Sequence, residues 1–286
     1  MAEIIAVINQ KGGVGKTTTV QNVGAYLASK GKKILLVDFD PQGNLSVSFG
    51  INENDAEFTI LGALLKKHKV SPYNIKKNLD IVPASYNLSS LENSLPEEME
   101  IDKHYLLNDV LKPIKSKLDY ILIDCPPSLG LFTLNSLVAA DKVLIPLDAH
   151  KFSIVGLNKV IEIVYKVNER VKNDLSIAGV VFTKYDKRKI IDRDLQEHID
   201  KKFPGIVLKT TIRDNVTIKE ASNIGIDVFE YDENSNGAMD YKNLVNELFN
   251  LKEDKVKETK VEIKTNNSNK SISEGFSEYL KEQEIN

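Results

Sequence analysis

The chain has 286 residues, of which 42% are hydrophobic, and this is enough for one large α/β domain. Its 38 Lys and Arg residues against 41 Asp and Glu residues give a formal net charge of -3, which excludes a protein that is basic over its whole surface. Cys125 is the single cysteine, so no intrachain disulfide can form, and the lack of an apolar leader predicts a cytoplasmic protein. No apolar run reaches the roughly 18 residues of a membrane-spanning helix, so we expect no membrane partner.

Short apolar runs alternate with amphipathic segments through the first 250 residues. Continuous apolar runs predict strands at Glu3–Asn9, Lys33–Asp38, Leu79–Pro83, Tyr120–Asp124, Lys142–Leu147 and Ile177–Phe182. Helical spacing of apolar residues predicts helices at Thr17–Ser29, Thr59–Lys67, Lys103–Lys117, Val155–Val171, Ile190–Lys202 and Ala238–Asn250. Such strands, separated by helices, are typical of a doubly wound, mostly parallel sheet with helices on both faces. We therefore predict one α/β domain over residues 1–250.

Residues 251–286 differ in composition from the rest of the chain. They contain seven lysines and eight acids, with few apolar residues before Phe276. This composition predicts a charged, disordered C-terminal tail. The apolar residues of 272–280 have the spacing of one helix face, so this segment is either a short partner-binding helix or a frayed, solvated terminus.

The segment Gln10–Thr18 (QKGGVGKTT) has the context of a phosphate-binding loop, because it follows a strand and opens a helix. Glycines allow backbone N–H groups to converge on phosphate oxygens, and the helix N-terminus adds a partial positive charge. Lys16 is expected to reach the β- and γ-phosphates of ATP, and Thr17 to bind Mg²⁺ through its hydroxyl. The predicted ATP contacts in the loop are Lys11, Gly12, Gly13, Val14, Gly15, Lys16, Thr17 and Thr18.

The loop departs from the strict pattern, which has glycine at the position of Gln10. The string KGGVGKTT, with Lys11 before the glycine pair, resembles the deviant Walker A loop of the ParA/MinD/nitrogenase-iron-protein superfamily. In that superfamily the extra lysine reaches across a dimer interface to the partner's nucleotide. The resemblance therefore implies an ATP-dependent homodimer of a P-loop ATPase. A second ammonium group beside Lys16 is favourable where phosphate charge lies between the two.

Two strands end in acidic residues at the edge where parallel sheets bind ligands. Asp38 and Asp40 lie in LLVDFDPQGN, and Asp124 ends the strand YILID, a Walker B pattern in which Asp124 would hold Mg²⁺ through water. By resemblance to the superfamily's switch I segment, Asp40 positions or deprotonates the attacking water. The predicted catalytic residues are Lys11, Lys16 and Asp40. From residue type alone, a turn-forming role for Asp40 and a strand-capping role for Asp38 stay open.

The segment Thr211–Gly225 is similar to the nucleotide-base loop of the superfamily, and Asp214 is the predicted base contact. Members commonly have Pro-Arg before Asn-Val and a basic residue after it, whereas this chain has Arg213 and Asp214 before and Thr217 after. The adenine contacts, and one DNA contact of the family, therefore stay open in this chain.

Four branches of the superfamily compete. A MinD-like membrane ATPase ends in a basic amphipathic helix, whereas this tail is slightly acidic. Iron-sulfur carriers need more than one cysteine per chain, and a small-molecule ligase of related fold does not require Lys11. Over about residues 2–250 the chain most resembles the ParA/Soj partition ATPases. A nucleotide-gated MinD-like or regulatory ATPase, acting on a protein or membrane partner, is the alternative.

A local excess of basic residues favours the partition interpretation. Residues 184–219 contain ten Lys or Arg residues and six acids, although the whole chain is acidic. Such a patch either grips DNA phosphates without reading sequence or forms a solvated mixed-charge surface. The resemblance implies weak intrinsic ATPase activity, non-specific double-stranded DNA, a ParB-type centromere-binding partner and a nucleoid location. The candidate DNA contacts are Lys187, Arg188, Lys189, Arg193 and Lys219.

Overall fold

The computed structural model describes residues 1–52, 56–91, 102–150, 153–172 and 174–251. One compact unit spans Met1–Leu251, and the second comprises Lys252–Asn286. Apart from Leu251, the predicted disordered tail and its short helix belong to the second unit and lie outside the described residues. Within the described ranges, no helix has both the length and the apolar character needed to cross a membrane.

Eight strands form the sheet of the first unit. Their order is β3-β4-β2-β5-β1-β6-β7-β8, and only the β3–β4 pair is antiparallel. The prediction of a doubly wound, mostly parallel sheet is therefore confirmed. The strands are β1 Glu3–Val7, β2 Ile34–Asp38, β3 Tyr73–Lys76, β4 Leu79–Val82, β5 Tyr120–Asp124, β6 Lys142–Asp148, β7 Ser176–Tyr185 and β8 Val207–Arg213.

The helices cover the sheet, and the first of them packs closely against strand β2. A Cβ added at Gly24 would lie only 2.7 Å from a methyl carbon of Leu36, so glycine permits this close approach of helix and strand. The helices with described bounds are α1 Lys16–Ser29, α2 Asn44–Val47, α3 Ile60–Leu64, α4 Leu106–Leu111, α5 Leu131–Ala139, α6 Ser153–Arg170, α7 Ile190–Lys202, α8 Val216–Asn223, α9 Val228–Asp232 and α10 Asn236–Phe249.

The prediction of one continuous helix over Lys103–Lys117 was wrong. Two 3₁₀ turns, Asp102–His104 and Lys115–Lys117, flank the short helix α4. Pro113 lacks the N–H that a continuing helix would need directly after α4.

Strands β3 and β8 and helices α2, α5, α8 and α9 were not predicted. Both strands lie at an edge of the sheet and mix polar with apolar residues, so neither forms a continuous apolar run. The central strands β2, β5 and β1 are adjacent, with Asp38 opposite Asp124 and Val7 opposite Asp124 in register. The loops that follow these three strands therefore meet at the middle of the carboxyl edge.

Candidate functional site

The loop between β1 and α1 has the backbone form of an anion cradle. Gly13 and Gly15 have φ values of 73° and 85°, a left-handed conformation that favours glycine. Helix α1 begins directly after Gly15, and no side chain caps its N-terminus, so its first N–H groups remain available to an anion. Lys16 is only 7% exposed, and burial lowers the pKa of its ammonium group. Its Nζ donates to the carbonyl of Lys11 at 3.2 Å.

Thr17 and Asp124 meet at the position predicted for Mg²⁺. The Thr17 hydroxyl donates to Asp124 Oδ2 at 2.6 Å. Asp124 is fully buried, and burial together with the neighbouring Asp38 raises the pKa of its carboxyl group. Its other oxygen, Oδ1, accepts no hydrogen bond from the described residues. A buried carboxylate oxygen without a donor fits a water of a hydrated magnesium ion, which is commonly held by few protein groups and by phosphate.

Asp38 has a structural role in the segment that follows β2. Its carboxylate accepts hydrogen bonds from the Ser46 N–H at 2.8 Å and the Ser46 hydroxyl at 2.6 Å. The same hydroxyl accepts from the Ala84 N–H at 3.1 Å, so Ser46 links the ends of β2 and β4 to α2. Burial raises the pKa of Asp38 to about 6. Asp38 therefore anchors the loop that carries Asp40.

Asp40 lies at the start of this loop and lines the cleft beside Gly12–Thr18. It is 6% exposed, and its Oδ1 accepts from the Gln42 N–H at 3.0 Å. Its carbonyl accepts from the Gly43 N–H at 2.9 Å, which closes a tight turn. The structure thus brings Asp40 to the phosphate loop, where a carboxylate could orient water.

Lys11 has a carboxylate partner that sequence reasoning missed. Its Nζ lies 2.5 Å from Asp148 Oδ2 at the carboxyl end of β6, while the Lys11 side chain stays 44% exposed. Ser153 Oγ lies 2.7 Å from the Asp148 carbonyl and 3.1 Å from Asp148 Oδ1, so its hydroxyl holds the end of β6 at this residue. Asn9 orients the start of the loop, because its Oδ1 accepts from the Lys11 N–H at 2.9 Å. The Lys11 ammonium therefore lies at the carboxyl end of β6, whereas the Lys16 ammonium lies against the loop itself.

A cleft of about 560 Å³ joins the phosphate loop to the segment after β8. Asp214, the predicted base contact, lines it and pairs with Lys219 at 2.6 Å. Arg213 also lines the cleft, and its guanidinium pairs with Asp240 at 2.7 Å. The cleft has the size of a site for a nucleotide-sized ligand. Lys219, which we predicted as a DNA contact, lies at this cleft.

The other four candidate DNA contacts lie together in the turn before α7 and in its first turn. Lys187, Lys189 and Arg193 are exposed. Arg188 is exposed as well, but its guanidinium pairs with Asp186 at 2.9 Å and holds the pKa of that carboxyl at about 2. Lys187, Lys189 and Arg193 form what we call the α7 basic patch.

Comparison with known proteins assigns the chain to a family. A protein-family model described as an AAA domain matches residues 2–177. The chromosome-partitioning ATPase Soj of Treponema pallidum is 40% identical over 248 residues, which cover 87% of this chain and 97% of the relative. The chain belongs to the ParA/Soj family of partition ATPases.

Solved structures of similar fold bind ATP analogues. Cobyrinic acid a,c-diamide synthase from Mycobacterium smegmatis, with bound ATP analogue and magnesium, has a TM-score of 0.77 and 30% identity, covering 87% of this chain and 94% of its own. A plasmid partition protein from Borrelia burgdorferi bound to AMPPNP has a TM-score of 0.74 and 28% identity, covering 87% and 98%. The predictions of an ATPase and of ATP with Mg²⁺ as its cofactors are confirmed.

In this ParA/Soj chain, the residues that sequence reasoning missed share one signal. Asp148, Thr183 and Lys184 all lie at the carboxyl end of an apolar strand, as Asp40 and Asp124 do. Polar residues at that edge of a parallel sheet are candidates for ligand contact whether or not a motif includes them. Cys125, in contrast, is fully buried, and burial raises the pKa of its thiol to about 12, as expected for a packing residue.

Proposed function

We propose that the chain moves DNA through an ATP-gated dimer: Mg-ATP joins two copies, the dimer binds double-stranded DNA without sequence preference, and hydrolysis releases it. One observation carries the proposal. The phosphate loop holds two lysines in different environments, Lys16 buried against its own loop and Lys11 half exposed and directed towards Asp148. Lys16 is positioned to bind the nucleotide of its own chain, whereas Lys11 is accessible to a nucleotide bound by a second chain.

Each residue of the site has a part in this cycle. Lys16 and the loop N–H groups bind the phosphates, while Thr17 and Asp124 would hold Mg²⁺, which supplies neutralising charge to the phosphates. Asp40 holds the attacking water. Asp38 and Ser46 fix the start of the loop that carries Asp40. A nucleotide that orders this loop would therefore also set the position of α2.

Dimer formation requires Lys11 to exchange partners. In the single chain its ammonium is neutralised by Asp148, and in the dimer it would contact the phosphates of the partner's nucleotide. Asp148 is buried, but the Lys11 side chain is 44% exposed, so phosphate can reach the ammonium and compete with Asp148 for it. With ATP absent, the Lys11–Asp148 pair gives the lysine a resting position.

The α7 basic patch supports binding to DNA backbone. Its three cations are exposed on one short stretch of an otherwise acidic chain. Two copies in a dimer double the number of phosphate contacts, which makes binding steeply dependent on salt and on dimer formation. We infer from the family that a ParB-type partner stimulates hydrolysis and that the protein is cytoplasmic and nucleoid-associated.

Retention of the purified protein on non-specific duplex DNA tests the proposal. Retention is measured with ATP, ADP or no nucleotide over a series of salt concentrations. We expect retention only with ATP, with a steep loss as salt rises. Lys11→Ala should bind ATP but lose retention. Replacing Lys187, Lys189 and Arg193 by alanine should also abolish retention while ATP binding persists.

A matched triple variant controls for net charge. Lys33, Lys112 and Lys117 are exposed elsewhere on the chain, and their replacement by alanine removes the same charge. This variant should be retained like the wild type. If the wild type binds ATP but is not retained on DNA in any nucleotide state, the partition proposal fails, and a regulatory ATPase acting on a protein or a membrane replaces it.

A further inference from the structure

The cations that line the nucleotide cleft differ in their partners. Arg213 pairs with Asp240 and Lys219 with Asp214. Lys16 is attracted electrostatically to Asp124 and Asp40. Lys184 also lines the cleft, and in the part of the chain that the structure describes no carboxylate forms an ion pair with it. Lys184 therefore places a positive charge at the cleft, where an anionic ligand could pair with it.

A local irregularity of β7 places Lys184 there. In the pairing with β8, Thr183 lies opposite Ile212 and Tyr185 opposite Arg213, so Lys184 is the extra residue of a β-bulge. Its φ of 53° is left-handed, which is uncommon for a residue with a Cβ. Bulges beside binding sites re-aim side chains, and backbone strain persists where the surrounding structure enforces it. The bulge turns Lys184 towards the phosphate loop.

Two hydrogen bonds join the end of β7 to the phosphate loop. The Thr183 hydroxyl donates to the Val14 carbonyl at 2.8 Å, and Lys184 Nζ donates to the Gly13 carbonyl at 2.7 Å. A lysine ammonium group has three N–H donors, and Gly13 occupies one of them. Since Lys184 is exposed, its other donors are accessible from the cleft.

We propose that Lys184 is a third nucleotide-binding lysine, which contacts the phosphate chain of the nucleotide held by its own subunit while it anchors Gly13. The inference rests on the proposed nucleotide site and assigns it a cation from outside the loop motif. Lys184 differs from Lys11 in that it acts without a second chain, because its ammonium already lies against its own loop. It differs from Lys16 in its exposure, so its contact with phosphate is sensitive to salt.

Equilibrium binding of fluorescently labelled ADP to the full chain, without DNA, tests this inference. Lys184→Met removes the charge and keeps most of the side chain's length. We expect the Kd of the variant to rise about 10-fold, the effect of one charge-assisted hydrogen bond. The slope of log Kd against log salt should also become shallower, since one phosphate contact is lost. Lys184→Arg keeps the cation and should recover much of the affinity.

Controls separate this inference from the function on which it rests. Lys33→Met makes the same charge change directly before strand β2, at the amino end of the strands and so opposite to the cleft. This variant should bind like the wild type. Lys184→Gly suits the positive φ without strain and gives a second charge-free variant if Lys184→Met does not fold. Unchanged affinity in the folded charge-free variant overturns the role of Lys184, as does a weaker affinity with the wild-type salt slope, which would indicate loop positioning alone. Failure of the wild type to bind ADP overturns the proposed function.

Discussion

Lys11 and Lys16 lie five positions apart in one loop, yet their surroundings give them different chemistry. Lys16 is buried, which lowers the pKa of its ammonium and makes its charge depend on nearby carboxylates and on bound phosphate. Lys11 is half exposed and is held by Asp148, and the Ser153 hydroxyl contacts both the carbonyl and the carboxylate of Asp148. In the proposed dimer, Asp148 would therefore compete with the partner's nucleotide for Lys11.

Asp148→Asn should favour dimer formation. The substitution removes the charge that holds Lys11 in the single chain, so the lysine is more available to the partner's phosphates. We expect a several-fold lower dimer dissociation constant with a non-hydrolysable ATP analogue, measured by light scattering over a concentration series. Asp109→Asn, on the exposed side of α4, is the matched control. Weaker dimerisation of Asp148→Asn would show that Asp148 acts in the dimer and not against it.

Asp40→Ala should separate nucleotide binding from hydrolysis. If this carboxylate orients the attacking water, as proposed above, its loss should lower the rate of ATP hydrolysis by about 100-fold or more. The loop glycines, Lys16 and Thr17 are untouched, so ATP-dependent dimers and DNA retention should persist. A phosphate-release assay measures the rate, and full turnover by Asp40→Ala would show that another group positions the water.

The residues of the phosphate loop could be predicted from the sequence because their spacing is fixed by local chain geometry. Asp124 could be predicted because an apolar strand delivers it to the sheet edge. Asp148 and Lys184 could not, since their proximity to the loop follows from the order β1-β6-β7 and from a bulge. The position of Lys219 at the nucleotide cleft likewise depends on tertiary packing.

At the scale of elements, an ion pair joins the edge hairpin to the C-terminal helices. Lys76 of β3 pairs with Asp227, which is 1% exposed and caps α9 through the N–H groups of Phe229 and Glu230. Gln21 of α1 reaches the same region, because its amide donates to the Ile226 carbonyl at 3.2 Å. The hairpin, α1 and α9 are therefore linked through polar groups as well as through the core.

Lys76→Met should destabilise the fold. The change leaves the buried Asp227 carboxylate without its cation, a loss of about 3 kcal/mol in the free energy of unfolding. Lys77→Met, one residue further along and exposed, removes the same charge and should have little effect. Urea titration followed by circular dichroism measures both. Equal stability of the two variants would mean that the capping N–H groups alone satisfy Asp227.

The predicted helices and strands show which sequence signals are enough to locate an element. Helix α7 was predicted with its observed bounds, Ile190–Lys202, and the central strands were recognised by their apolar runs. The edge strands β3 and β8 escaped prediction because a strand with one free edge does not need a continuous apolar sequence. Helix α9 is too short, at five residues, to show helical periodicity.

For the whole molecule, the central claim is that ATP controls association of the chain with a second copy. In the proposed cycle, dimer formation would bring the half-exposed Lys11 to the partner's nucleotide and would double the phosphate contacts of the α7 basic patch. The net charge of -3 alone does not favour DNA binding, so the proposal depends on two patches together supplying local positive charge. Without an ATP-dependent dimer, neither Lys11 nor the patch has the role proposed above.

Sedimentation velocity of the wild type with Mg²⁺ and either no nucleotide, ADP or ATP tests this claim most directly. We expect a monomer in the first two states and a dimer with ATP, with Lys11→Ala monomeric in all three. A wild type that stays monomeric with bound ATP, or one that is equally dimeric in every state, would contradict the account.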